Sequence, residues 1–158
     1  MIEVRPATPA DAALVHALVL ELAAYEKLAN EVRATAEDTA AALFGPHPRV
    51  FCDIVEVEAE PVGFALWLYN YSTFAGRGGL WLEDLYVRPA ARGMGAGLAL
   101  LTALAARCRA ESLARLEWAV LDWNAPAIAF YDRLGAASMN EWTVRRLSGE
   151  ALARLAER

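Results

Sequence analysis

One stretch, Leu80 to Leu101, restricts the fold more than any other part of this 158-residue chain. A strand-patterned run, LWLEDLYV at 80–87, leads into RPAARGMGAG at 88–97, and a helix-patterned run begins at Leu98. Glycines at the alternate positions Gly93, Gly95 and Gly97 allow close backbone approach to a ligand. They also leave N–H groups pointing into one concavity at a helix N-terminus, which suits a phosphate or pyrophosphate. Arg92 adds a full positive charge beside them. A Walker loop would end in Gly-Lys-Ser/Thr, and this one does not. A dinucleotide loop requires a third glycine where Leu98 stands, and it usually follows the first strand of a chain. Another phosphate-bearing ligand, or a glycine-rich turn that binds nothing, remains open.

The elements around this unit alternate. A first strand is expected at Ile2–Arg5. Thr8-Pro9-Ala10-Asp11 opens a helix that runs to about Lys27, with Leu14, Leu18 and Leu22 on one face. Thr35 to Asp38 repeats the start signal for a shorter helix that ends near Phe44. Val50–Glu58 and Val62–Tyr71 read as strands joined by a Glu60-Pro61 turn, and a loop carries Gly76, Gly78 and Gly79. After Leu80–Val87 come a helix at about Leu98–Ala110, a strand at Leu116–Leu121 and a helix at Ala125–Leu134. A last strand at Ala137–Leu147 and a helix at Gly149–Glu157 follow. The order predicts one α/β (α+β) domain over residues 1–158, a mixed central sheet with helices on both faces.

Composition narrows the function. With 57% hydrophobic and 22% charged residues the chain is not disordered. A net charge of -5 leaves no positive excess for indiscriminate binding to nucleic acid. No apolar run approaches the roughly 20 residues of a membrane span, and Met1 to Arg5 does not begin a secretory signal, so the expected compartment is the cytoplasm. Cys52 and Cys108 are too few and too far apart for a disulfide framework or zinc cluster, and no metal is expected. His16, inside the first helix, and His47, in a Pro-flanked loop, read as packing or surface residues.

A second constellation is DWNAPAIAFYDRLGA at 122–136, in which Asn124 caps a short helix that Gly135 ends. Taken alone it is an amphipathic helix with Tyr131 packed inward. Together, R-G-x-G-x-G at 92–97 and N-x-x-A-x-x-F-Y-x-x-x-G at 124–135 resemble the two signatures of the GCN5-related N-acetyltransferases. RPAT-x-x-D at 5–11, ELAAYEKL at 21–28, VGFAL at 62–66, LEDLYV at 82–87 and AVLDWN at 119–124 extend the likeness over nearly the whole chain. They resemble the diamine (spermidine/spermine) acetyltransferase family. The polyamine branch carries an acid after the tyrosine of its post-strand loop, which helps hold a distant ammonium. Here the loop reads Tyr71-Ser72-Thr73-Phe74, which resembles the branch that prefers thialysine, the S-aminoethyl analogue of lysine. The stretch between Gly135 and Trp142 is shorter than in the family.

The resemblance implies an acetyl-CoA co-substrate, a small cationic amine acceptor, a homodimer and the family's fold. It implies that Arg92, Gly93, Met94, Gly95, Ala96, Gly97 and Leu98 take the pyrophosphate. The backbone of Leu85, Tyr86 and Val87, with Asn124, Ala125, Pro126 and Ala127, would line the pantetheine arm. The acceptor would meet Tyr25, Glu26, Glu83, Glu117, Trp118 and Ala119. An alkyl amine with a pKa near 10.4 arrives protonated, so a base must remove a proton, and Glu83 is the candidate. Strand alternation puts Glu83 and Asp84 on opposite faces. Tyr131 is the candidate acid for the departing sulfur. Donation from tyrosine to a fully formed thiolate is uphill by about 2 kcal/mol, so the proton must move as charge develops.

Overall fold

Thr35 shows how closely local chemistry sets the elements. Its hydroxyl accepts the Asp38 N–H at 3.1 Å while the Asp38 carboxylate accepts the Thr35 N–H at 2.9 Å, a reciprocal cap. At the first helix, Asp11 accepts the Thr8 N–H at 2.7 Å and both ends of the Arg5 guanidinium at 2.8 and 3.0 Å. Those bonds hold its carboxyl well below the usual range, with Arg5 the larger cause. A computed structural model describes residues 1–158 in two compact units, Met1–Leu121 and Asp122–Arg158.

The first unit contains β1 (Ile2–Pro6), α1 (Ala12–Tyr25), α2 (Ala36–Phe44), β2 (Phe51–Val57), β3 (Glu60–Ser72), β4 (Arg77–Val87), α3 (Ala96–Ala110) and β5 (Leu116–Trp118). The sheet runs β1-β2-β3-β4-β5; its pairs are antiparallel except β4 with β5, which α3 connects in parallel. Both faces are covered. Val15, Leu18 and Leu22 of α1 and Leu43 of α2 form one core with Cys52, Ile54, Phe64 and Tyr86. Val55 and Ala65, pointing the other way, are also fully buried, and on that side Arg107 of α3 lies 4.8 Å over the Trp67 ring. Each fully buried large side chain, such as Phe64 or Leu18, contributes about 1.5–3 kcal/mol of apolar transfer.

The mixed sheet with helices on both faces is as expected, but four boundaries differ. The β2–β3 turn is Glu58-Ala59, both at positive φ (50° and 66°), a mirror-type hairpin turn that neither residue type announces. Glu60 and Pro61 belong to β3 instead. Gly78 and Gly79 lie inside β4, where a Cβ on Gly79 would come within 2.6 Å of Asn70 Oδ1. α3 starts two residues before Leu98, at Ala96, and β5 has three residues rather than the six expected.

The second unit holds α4 (Ala125–Arg133) and α5 (Gly149–Ala156). Asn124 caps α4 by accepting the Ala127 N–H at 3.4 Å. Gly135, at φ 79°, ends it, and the Ala136 N–H bonds back to the Tyr131 carbonyl. The expected strand at Ala137–Leu147 is irregular chain, because this unit contains no strand to complete its hydrogen bonds.

Candidate active site

The site begins where the sheet stops being complete. β5 pairs only with Leu80, Trp81 and Leu82, so from Glu83 to Val87 the strand β4 has a ladder on one side alone. The same point carries a bulge. Trp67 pairs with Leu82 and Leu66 with Asp84, which leaves Glu83 as the extra residue. Cross-strand partners share a face. Leu82 therefore lies with Trp67 on the α3 side, while Asp84 lies with Leu66, which packs into the α1 core. Simple alternation would have kept Leu82 and Asp84 together. The expectation that Glu83 and Asp84 oppose one another is overturned here. Glu83 accepts the Trp81 indole N–H at 2.8 Å, and Trp81 pairs with Leu68 on the α1 side.

The bulge thus gathers carboxylates. Burial pushes the Asp84 carboxyl up to about 6, with the charges of Glu83 and Glu26 adding to it. Burial also raises the pKa of Glu26, at the end of α1. A carboxyl raised in this way beside a second carboxylate suits the capture and deprotonation of a cationic amine.

Past Val87 the chain turns through Pro89–Ala91 into the glycine loop. Gly93 and Gly95 take φ 77° and 96°, left-handed values that glycine adopts without strain. A Cβ on Gly93 would meet nothing within 4 Å, so the space above the loop is open to a ligand. The first internal bond of α3 runs from the Ala99 N–H to Gly95 O, leaving the N–H groups of Ala96, Gly97 and Leu98 ahead of it. Arg92 donates from Nε to Val87 O at 2.8 Å. Arg88, by contrast, is neutralised by Glu21 through contacts of 2.8 and 3.1 Å.

Comparison with known proteins shows the family. The acetyltransferase (GNAT) family profile matches residues 16–136. The chain belongs to that family. It is 36% identical to the thialysine N-epsilon-acetyltransferase of Bos taurus, over 97% of this chain and 96% of that one. It is 37% identical to the thialysine N-epsilon-acetyltransferase of Caenorhabditis elegans, over 98% and 97%. Among solved structures, an integron cassette protein from the mobile metagenome of V. cholerae superposes with a TM-score of 0.82 at 27% identity, covering 99% of this chain and 98% of that one.

Within this N-acetyltransferase, Glu26, Glu83, Leu85, Tyr86, Val87 and the residues Arg92–Leu98 come from adjoining segments of the first unit: the end of α1, the half-paired part of β4, and the loop into α3. Glu117 and Trp118 lie on β5 and Ala119 just beyond it. The Glu117 carboxylate is held by Arg115 at 2.6 Å and by the Asn70 amide at 3.3 Å, so its charge is already matched. Asn124, Ala125, Pro126 and Ala127 form the cap and first turn of α4, and Tyr131 lies farther along that helix, its ring 5.5 Å from that of Phe130. His16 pairs with Thr39 between α1 and α2, and Cys52 is buried with its thiol pushed far up by burial.

Sequence reasoning placed Asp84 on the face opposite Glu83 and did not single out Trp81 or Glu21. The two adjacent acids were visible in the strand, but the bulge that brings Asp84 to the α1 face was not. Trp81 and Glu21 act through partners that only folding brings near. No three His, Cys, Asp or Glu side chains gather as a metal site, and no helix is long and apolar enough to cross a membrane.

Proposed function

We propose that this N-acetyltransferase moves an acetyl group from acetyl-CoA to the primary amine of a small cationic acceptor, and that thialysine or a related amino acid is that acceptor. The reading is carried by one juxtaposition. The strand edge freed by the short β5 and bulged at Glu83 runs directly into a glycine loop with an unneutralised arginine and a helix start. The open space over Gly93 and the free N–H groups of α3 fit a pyrophosphate, and the unpaired edge at Leu85–Val87 fits the amides of a pantetheine arm. When bound, acetyl-CoA supplies the activated acetyl carbonyl.

The chain's own groups do the rest. Glu26, Glu83 and Asp84 attract the ammonium, and Glu83, oriented by the Trp81 N–H, takes its proton directly or through water. The freed amine is positioned by the same strand that holds the donor, which replaces a bimolecular encounter with an oriented one. The Tyr131 hydroxyl gives its proton to the departing sulfur as negative charge builds there. Acceptor length is addressed by Ser72. Its hydroxyl accepts the Ala75 N–H at 3.1 Å inside its own turn, where the polyamine branch has a carboxylate for a second, distant ammonium.

Release of CoA from acetyl-CoA with thialysine, lysine, spermidine, spermine and a blank tests this reading. Preference for thialysine or lysine is expected. Preference for spermidine would transfer the chain to the polyamine branch, and silence with all four despite acetyl-CoA binding would leave another acceptor or a non-catalytic acyl-CoA sensor. Replacing Tyr131 with Phe should lower turnover about 10²-fold with CoA affinity retained; unchanged turnover would exclude it as the acid.

A further inference from the structure

Two arginines bracket the turn that leads into the glycine loop, Arg88 and Arg92, and helix α1 grips both. Glu21 and Tyr25 stand four residues apart, on one face of the last turns of α1. Glu21 takes the Arg88 Nε and Nη2, and Arg88 Nη1 reaches Pro61 O at 3.2 Å. Tyr25 lies with its ring 4.5 Å from the Arg92 guanidinium carbon. The Tyr86 ring is also near that guanidinium, at 5.6 Å. Tyr86 is buried, and burial raises its hydroxyl pKa, with the charge of Glu21 adding to it.

The two grips differ in kind. A carboxylate holds Arg88 by cancelling its charge. Aromatic faces hold Arg92 and leave its charge in place. With Nε committed to Val87 O and the guanidinium held against Tyr25, the Nη1 and Nη2 donors of Arg92 are left for a ligand. A long arginine side chain in open solvent would lose much rotamer freedom on gripping an anion. Here that freedom is already restricted before the ligand arrives.

We infer that Tyr25 is a positioning residue for the acyl donor: its ring sets the Arg92 guanidinium for the diphosphate of CoA. This rests on the proposed reading of the loop as the CoA site, and it gives a donor-side role to a tyrosine that the family resemblance assigns to the acceptor.

The test is the Kd for CoA, measured by calorimetry on the full chain with no amine present. An acceptor-only Tyr25 would leave that value untouched. Tyr25→Leu should weaken CoA about two- to fivefold, the range of an exposed cation–π contact, and Tyr25→Phe should keep the wild-type value. Arg92→Ala should weaken CoA more than either, and Tyr25→Leu added to Arg92→Ala should then change nothing further. Tyr25→Met, read in the same way, replaces the leucine variant should that one fail to fold. An unchanged Kd in Tyr25→Leu beside a weakened Arg92→Ala overturns the inference and leaves the CoA reading standing. Equal losses from Tyr25→Leu in both backgrounds overturn it as well, because they mark a general loosening of α1. An Arg92→Ala variant that binds CoA normally removes the arginine from the donor site, and the reading of the loop with it.

Discussion

The two halves of β4 are one strand under two sets of rules. From Leu80 to Leu82 it is paired on both sides, and Leu80 and Leu82 are buried on the α3 side. From Glu83 to Val87 it is paired on one side and carries two adjacent carboxylates, one of them titrating near 6. The first half is stabilised by complete hydrogen bonding and apolar burial. The second leaves backbone groups and charges unsatisfied within the protein, which is the condition for binding something else. The proposed chemistry falls where the sheet is left unfinished.

The largest test of that contrast compares carboxylates. Glu83→Gln should lower kcat about 10²-fold with the Kd for CoA unchanged. Glu117→Gln, on the strand that completes the first half, should change kcat little, because Arg115 already matches that charge at 2.6 Å. Steady-state kinetics of both variants decide it, and comparable losses would dissolve the distinction between the halves.

Glycines give the next test. Gly63 pairs with Val87, and a Cβ there would lie 2.3 Å from the Tyr86 carbonyl oxygen, a backbone atom that cannot turn aside. Gly63→Ala should cost about 2 kcal/mol in urea unfolding and weaken CoA binding, since β3 and β4 must part at the site. Gly78, beside the first half, would meet the end of the Leu113 side chain at 3.3 Å and the Asn70 carbonyl oxygen at 3.6 Å, an ordinary contact. Its alanine variant should lose less than about 1 kcal/mol.

Asp84 gives a test by pH. Its carboxyl is raised to about 6, so the folded state holds a proton that the unfolded state has already released. Stability contributed by the protonated form is full below the ordinary carboxylate range and is lost as pH rises through about 6. Asp84→Asn removes that loss. The variant should be more stable than wild type by about 3 kcal/mol at pH 8 and no different well below pH 4. Asp53, a buried acid of β2, is a useful contrast. Burial raises its pKa, but the Trp67 indole N–H at 2.8 Å and the charge of Arg107 oppose that. Asp84 has no such opposing group among the causes of its shift.

These differences also mark how far the chain could be read before folding. LWLEDLYV and RGMGAG stated the strand, the loop and the helix start, because periodicity and glycine spacing are local properties. The helix caps at Thr35 and Asn124 were equally plain. The bulge at Glu83 was not, since a two-residue period carries no mark of one inserted residue, and that insertion moves Asp84 to the α1 face. The Glu58-Ala59 turn lacked the Asn or Gly that normally signals it. Ala137–Leu147 has a strand's pattern, but a strand also needs a neighbour, which a pattern does not supply. The Arg92 contacts with Tyr25 and Tyr86 join α1, β4 and the loop, so only the folded sheet could reveal them.

Trp81 is the finest probe of the boundary, because it belongs to the fully paired half and acts on the other. Trp81 is the cross-strand partner of Leu68, while its indole N–H donates to the Glu83 carboxylate at the bulge. Trp81→Phe keeps an aromatic ring and removes the N–H donor together with one ring of the indole. If the paired half serves to aim the unpaired one, kcat should fall about two- to threefold, with urea stability and the Kd for CoA close to wild type. A fall in stability with unchanged kcat would make Trp81 a packing residue and sever the link. A fall in kcat that disappears when Glu83 is already Gln would tie the indole to that carboxylate alone.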